Sequence, residues 1–299
     1  MKRSCLLRTW TWLKKIFFWI FLVHITGFLF FIWKTLSVPG FPVPNPRIKM
    51  LMVCGGLVIL GLVYYKWLSR IRAIHRAAVV LKEFFFFFYI SSFFYLLYGM
   101  LFNPPITLTQ VGSLIQGNGL KREYVSLSNM SPYIKLAVIS SEDQFFTDHD
   151  GFDINEIKLA IKYNKKHPNR RYGASTISQQ VAKNVFLWQG GGFFRKGIEV
   201  FFTFSLEKLW TKKTILERYL NISEMGRGIF GVQAASKIYF NKNAKDLTRA
   251  EAAQIAACLP NPKRFTVNPM SNYIAHRYGD IMLQMSYLET DPDIQELIR

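Results

Sequence analysis

Acidic side chains are scarce where this chain begins: residues 1–102 carry thirteen Lys and Arg but a single acid, Glu83. Cysteine is nearly absent, with Cys5, Cys54 and Cys258 spread over 299 residues, so no disulfide framework or thiolate metal set can be assembled. Only five histidines are present, and no second histidine stands near His149, so the pattern signals a metal site there only weakly. No internal repeat is visible, and the alternating apolar pattern of strands is rare. Those absences exclude small disulfide scaffolds, zinc modules and β-rich architectures.

What is present in excess is apolar length. Ile16 to Trp33, Met50 to Trp67 and Phe84 to Phe102 are three runs of about 18–19 residues, close to the roughly 20 that span a ~30 Å hydrocarbon core. They predict a membrane anchor over residues 1–102. Lys2, Arg3, Arg8, Lys14 and Lys15 precede the first run, and Lys66, Arg70, Arg72, Arg76 and Lys82 lie between the second and third. The intervening loop has Lys34, Arg47 and Lys49 with four prolines among Val38 to Arg47. By the bias of positive charge to the cytoplasm, the amino terminus is cytoplasmic and everything after Phe102 lies outside. The first run lacks a small-residue cleavage site, so it is expected to stay.

The +19 net charge divides unevenly, because residues 103–299 hold 25 Lys and Arg against 18 acids. Most of the excess belongs to membrane topology, which argues against nucleic acid as a partner and for anionic lipid or phosphate. Residues 103–131, with Asn103-Pro104-Pro105, Gly112, Gly117 and Gly119, read as a linker. From Pro132 onward the periodicity is helical, giving a mostly α domain over 132–299. Helices are expected from about Phe194 to Asn221 with a break near Trp210 to Lys213, over Val232–Tyr239, and over Leu247–Cys258 before Pro260 and Pro262.

Two blocks carry chemistry. Ser141 to Asp153 (SEDQFFTDHDGFD) sets Glu142 among Phe145, Phe146 and Phe152, where partial desolvation would make the carboxylate a stronger base. Asp143, His149 and Asp153 accompany it. Tyr172 to Asn184 (YGASTISQQVAKN) places hydroxyls, amides and a lysine in one turn-to-helix segment, with Ser175 or Thr176 as its cap. On that helix Gln179 and Lys183, and Gln180 and Asn184, stand four apart and can face one ligand. The segment Val185 to Phe194 holds Gly190, Gly191 and Gly192 between aromatics and reads either as a loose loop or as a flap that enters the bilayer interface. Arg195 and Glu199 are four apart with Lys196 beside them, either a surface ion pair or a clamp for a pyrophosphate. Glu217 and Asn221, on an amphipathic helix, read as stabilisers of the fold.

These blocks, together with Ile215 to Asn221 and the stretch from Gly228 to Asn261, resemble those of the family 51 glycosyltransferases, the peptidoglycan transglycosylases, and within them the monofunctional biosynthetic members. The likeness runs from about Val125 to Met285. It implies a lysozyme-like, mostly helical fold with a membrane-dipping jaw, and polymerisation of lipid II into β-1,4 glycan strands with inversion and release of undecaprenyl pyrophosphate. It implies that Glu142 is the base for the acceptor's 4-hydroxyl and Glu199 the second catalytic acid. Lys183, Arg195 and Lys196 would hold phosphate, and Ser175, Thr176, Gln179, Gln180 and Asn184 would line sugar and peptide contacts. No metal ligand and no cofactor is implied, though Mg or Mn could accompany the diphosphate.

Its partners would be lipid II, the growing lipid-linked glycan, membrane lipids and other cell-wall synthesis proteins. Its place would be the bacterial inner membrane, as a multi-pass protein with a periplasmic catalytic domain. The chain departs from the family in Gly173-Ala174, where paired glycine is usual, and in three spans instead of one. Ser205 to Lys208 matches S-x-x-K without a following K-T-G, so no transpeptidase activity is expected. The rival readings are a lytic transglycosylase or muramidase of the same fold class, which would use one glutamate as general acid, and an inactive membrane scaffold.

Overall fold

A computed structural model describes residues 2–38, 45–169 and 172–299. The proline-rich loop expected between the first two apolar runs lies largely outside them, as does the side chain of Phe193 in the glycine-flanked flap. The chain divides into two compact units, Met1–Leu97 with Lys158–Tyr172, and Tyr98–Ile157 with Gly173–Arg299.

The first unit is built on three long helices, α1 (Lys2–Thr35), α2 (Pro46–Lys66) and α3 (Arg72–Leu101). Three helical stretches, Trp12–Thr35, Pro46–Arg70 and Arg72–Leu101, are long and apolar enough to cross a membrane. The helices outrun the apolar stretches that announce them, because helical hydrogen bonding continues through the charged flanks. Aromatic rings interlock α1 with α3: Phe21 meets Tyr89 edge-on at 5.0 Å and Phe85 at 5.6 Å. His24 Nδ1 lies 3.1 Å from the Tyr89 hydroxyl.

The second unit is mostly helical: α4 (Leu108–Ile115), α5 (Pro132–Glu142), α6 (Ile154–Lys166, shared with the first unit), α7 (Ile177–Phe186), α8 (Gly192–Leu209), α9 (Lys212–Ile222), α10 (Val232–Phe240), α11 (Arg249–Cys258), α12 (Asn272–Leu288) and α13 (Pro292–Ile298). The expected break in the long helix falls at Trp210-Thr211, where the Thr211 hydroxyl accepts from the Thr214 N–H and starts α9.

The core helix is α5. Every residue from Ile134 to Ser140 is buried, so it is apolar nearly all round, as a helix enclosed by others must be. It packs on α11, whose Ala252, Ala253, Ala256 and Ala257 are small enough to let the two backbones approach, and on α12 and α13. Even Lys135 is enclosed; its ammonium donates to the Ile298 carbonyl at 2.8 Å and burial pulls its pKa down.

Residues 103–131 correct the linker reading. The Thr107 hydroxyl accepts from the Gln110 N–H while the Gln110 side chain accepts from the Thr107 N–H, a capping box that starts α4. Lys121–Arg122 (β1) then pairs in parallel with Ile229–Phe230 (β3), which pairs antiparallel with Glu224–Gly226 (β2). Asn221 fixes the remainder, its amide accepting from the Val125 N–H at 3.0 Å and donating to the Val125 carbonyl at 2.9 Å. The segment is therefore an integral layer of the domain. Its elements are too short for periodicity to reveal.

The last turn of α3 is tied to the second unit of which it is part. Buried Arg218 donates from Nε to the Gly99 carbonyl at 2.9 Å, satisfying a carbonyl that the helix end leaves open, and from Nη1 to the Asn103 side-chain oxygen at 3.3 Å. Glu217 holds the same guanidinium and accepts from the Leu127 N–H at 2.9 Å. Ser205, in the chance S-x-x-K match, gives its hydroxyl hydrogen bond to the Phe201 carbonyl.

Gly231 opens α10 with φ +82, and a Cβ placed there would lie 2.5 Å from the Asn221 carbonyl oxygen. Gly231→Ala is thus expected to cost about 3 kcal/mol or more, combining left-handed strain with a backbone overlap. Denaturant unfolding of the solubilised protein measures it, and a cost under about 1 kcal/mol would contradict the geometry.

Candidate active site

Two adjacent carboxylates leave the end of α5 in opposite electrostatic settings. Glu142 is the last residue of the helix, where the aligned peptide dipoles present their negative end. Its partly buried carboxyl accepts a hydrogen bond from Gln180 Nε2 at 2.7 Å. Burial pushes its pKa up; the Gln180 bond and the charges of Arg277 and Lys183 pull it back only in part, and Asp143 adds to the rise. Of the three phenylalanines expected to desolvate it, Phe146 and Phe152 are buried, whereas Phe145 is 53% exposed and faces away from the interior.

Asp143 sits instead at the positive end of α7. Its Oδ2 accepts from the Ile177 N–H at 2.9 Å, an otherwise open donor in the first turn of that helix. Its Oδ1 lies 2.9 Å from His149 Nε2. Because His149 Nδ1 accepts from the Gly151 N–H at 3.1 Å, the ring proton is on Nε2 and donates to Asp143. Lys212 completes the brace, donating to the His149 carbonyl at 2.6 Å and to Glu207 at 2.9 Å, 4.6 Å from the Phe146 ring centre. Asp153 accepts from the Glu156 N–H at 2.9 Å and starts α6. The acids and histidine accompanying Glu142 are thus fixtures of the turn that presents it.

Helix α7 supplies the facing wall. Thr176 and Gln179 form its capping box, both are buried, and the Thr176 hydroxyl donates to the Gly151 carbonyl at 2.7 Å. This is a fold-building placement for two residues expected at the sugar. Gln180, one position on, joins the Glu142 carboxyl to Tyr219, whose hydroxyl donates to Gln180 Oε1 at 3.2 Å. Gln180, Lys183 and Asn184 line a cavity of about 620 Å³ with Thr109 of α4, Gln116 just past its end, Trp188, Tyr219, Glu224 and Lys263. Neither Gly173 nor Ala174 has positive φ, so the methyl that replaces the usual second glycine introduces no strain.

The cationic cluster adjoins this wall. Glu199 is 3% exposed, with Arg195 Nη1 at 2.5 Å from one oxygen and Lys196 Nζ at 2.5 Å from the other. Lys196 also reaches the exposed Ser175 hydroxyl at 3.4 Å. Burial lowers the pKa of Lys183, opposed by the charges of Glu199 and Glu142 and reinforced by Arg195 and Lys196. All four charges act on the Lys183 ammonium, which couples Glu142 and Glu199 electrostatically through it. Glu142, Glu199, Arg195 and Lys196 do not themselves line the cavity; they meet it through Gln180 and Lys183. Gly190, Gly191 and Gly192 all have positive φ, and Arg195 Nε donates back to the Gly190 carbonyl, so the glycine loop folds against the cationic helix.

Sequence reasoning missed the α4 wall, Tyr219, Glu224, Lys263 and Arg277. The capping pattern Thr107-x-x-Gln110 was the available sign of α4, and the buried Ile274, Ile281 and Met285, seven and then four apart, that of α12, which carries Arg277. Glu224 is a half-buried carboxyl, its pKa raised by burial; it accepts from the Gly228 N–H at 3.2 Å, with Lys263 3.9 Å away. Among the described residues no group of three or more His, Cys, Asp or Glu converges as metal ligands would.

Two variants test this geometry. Asp143→Ala leaves two enclosed donors without an acceptor and is expected to cost about 2–4 kcal/mol of stability; a cost below about 1 kcal/mol would refute the brace. Glu142 behaves oppositely. Unfolded, it loses its proton near the ordinary carboxylate value of about 4.3; folded, it loses it at higher pH. The folded chain therefore holds the proton more firmly between the two values, stability falls as pH rises through that window, and the penalty persists above it. Glu142→Gln should be at least as stable as the parent at about pH 8 and should lack that fall. Equilibrium denaturation across pH decides, and a variant less stable at every pH would contradict the account.

Residues 109–286 match the family model described as Transglycosylase. A biosynthetic peptidoglycan transglycosylase of Mannheimia succiniciproducens is 57% identical over 166 residues, covering 56% of this chain and 68% of that protein. One of Escherichia coli is 46% identical over 198 residues, covering 65% of this chain and 82% of that protein, and one of Shigella boydii has the same figures. The matched region begins inside α4 and takes in both Ser141 to Asp153 and Tyr172 to Asn184. Since it takes in more than half of the sequence, this chain belongs to the transglycosylase family.

Proposed function

We propose that the protein polymerises lipid II into peptidoglycan glycan strands at a membrane surface. Glu142 takes the proton from the 4-hydroxyl of the acceptor's GlcNAc. The freed oxygen attacks the donor's anomeric carbon from the face opposite the diphosphate. The new β-1,4 bond forms as the bond from that carbon to phosphate oxygen breaks, and undecaprenyl pyrophosphate leaves with both electrons. Lys183, Arg195 and Lys196 neutralise the charge that builds on the leaving group, and Glu199 holds the latter two in place. Gln180, Asn184 and Ser175 serve the sugar and peptide, with Thr176 and Gln179 supporting them from the helix start. No step calls for a cofactor; chelation tests whether Mg²⁺ or Mn²⁺ enters with the diphosphate.

The observation that carries this reading is the placement of a carboxylate with raised proton affinity, bonded to Gln180 and coupled electrostatically through Lys183 to Glu199, Arg195 and Lys196. A degradative enzyme would have no use for the cations. The three apolar helices, with positive charge before the first and between the second and third, support a cytoplasmic amino terminus and an extracytoplasmic catalytic domain. We read that domain as lysozyme-like and the glycine loop at Gly190–Gly192 as part of a jaw that meets the bilayer.

Labelled lipid II, resolved on gels after incubation, tests the proposal. Glu142→Gln should lower polymerisation by about 10²–10⁴-fold. In the parent, the rate should fall as pH drops through the raised pKa of Glu142, because the base must be ionised. Gln180→Leu removes a hydrogen bond that favours the ionised form, so the acid limb should move to higher pH. Strands of unchanged length and rate from Glu142→Gln would overturn the assignment, and an unmoved limb in Gln180→Leu would remove Gln180 from it.

A further inference from the structure

Helix α3 is longer than a bilayer requires. Its 30 residues extend about 45 Å, against a hydrocarbon core of about 30 Å, leaving a surplus of roughly ten residues. From Phe84 to its end the helix carries no charge, so the surplus is the segment before Lys82, and Lys82 and Glu83 fall at the membrane–water boundary. Lys14 reaches that level from α1, with its ammonium 2.6 Å from Glu83. Below these charges the two helices leave a cavity of about 410 Å³ walled by aromatics, among them Phe18, Trp19, Phe85 and Tyr89. Lys14, Lys15, Lys82 and Glu83 form its polar rim.

The rim holds three cations and one anion, and the anion is engaged by Lys14. Lys15 and Lys82 are both exposed, and although Lys82 adds its charge to the field at Glu83, the ion pair there is made by Lys14, which leaves the rim with net positive charge. An occupant that satisfies this cavity has an apolar chain for the aromatic slot and a negative group at its end. Water or a free ion would leave the slot unfilled, and a zwitterionic lipid would bring an ammonium among lysines. We propose that the cavity between α1 and α3 is a binding site for an anionic phospholipid, with its acyl chain along the aromatic wall and its phosphate at Lys15 and Lys82. The site lies on the side of the bilayer where the chain begins, in the unit that lacks the catalytic groups, and does not rest on the proposed reaction.

The test uses the purified full-length protein in detergent, titrated with dioleoyl phosphatidylglycerol or dioleoyl phosphatidylcholine, with bound lipid counted by native mass spectrometry. Phosphatidylglycerol should be retained in preference. An interfacial lysine contributes about 1 kcal/mol, so Lys15→Gln or Lys82→Gln should weaken retention roughly fivefold, and the double variant roughly twenty-five-fold. Lys15→Arg with Lys82→Arg should keep it, and Glu83→Gln, which frees Lys14, should strengthen it. Polymerisation in a fixed detergent should be unchanged in all of these. Equal retention of both lipids by the parent, full retention by the double Gln variant, or displacement of phosphatidylglycerol by millimolar inorganic phosphate would overturn the proposal.

Discussion

The site depends on how the end of α5 meets the start of α7. A helix C-terminus repels negative charge and a helix N-terminus attracts it. By placing Glu142 at the former and Asp143 at the latter, the chain separates two neighbouring carboxylates into different roles. Asp143 is satisfied by the Ile177 N–H and the His149 ring, and becomes the fixed point of the turn. Glu142 is left with the Gln180 amide, distant cations and partial burial, so it holds its proton more tightly than an ordinary carboxylate. A base that is harder to ionise is a better acceptor once ionised, and that is the property proton abstraction from a sugar hydroxyl requires.

Everything around this junction serves to hold it still. The apolar enclosure of α5 by α11, α12 and α13 fixes the helix axis, while the Thr176–Gln179 capping box and its bond to Gly151 fix the opposing helix end. Lys212 ties the intervening turn to Glu207 and Phe146. The cost falls on stability: an ionisable group with a raised pKa makes the folded state less favourable once it is charged. A different economy governs Glu199. It is enclosed almost completely, yet each oxygen has a cation at 2.5 Å, so it orders Arg195 and Lys196 into a rigid positive surface.

Most helices were legible in the sequence because their residues recur at helical spacing or carry caps, and the blocks around Glu142, Gln180 and Lys183 are brought near one another. Thr176 was readable as a cap, the break at Trp210 as a change of helix, and Glu217 and Asn221 as structural. What was not legible came from short elements and distant partners. Residues 103–131 looked like a linker because an eight-residue helix and two-residue strands leave almost no periodic trace, although Thr107 and Gln110 spelled out a cap. Phe145 was expected to shield Glu142, but the turn braced by Asp143 points it to solvent. Arg277 acts on Glu142 from a helix 130 residues further along, and nothing in local spacing announces that.

The central claim concerns a proton, and it can be measured without substrate. Infrared difference titration of the parent against Glu142→Gln isolates the carboxyl stretch of that one side chain. The account predicts a midpoint clearly above the ordinary glutamate value of about 4.3. A midpoint at or below that value would show that the junction of α5 and α7 does not raise the proton affinity of Glu142, and would contradict the account.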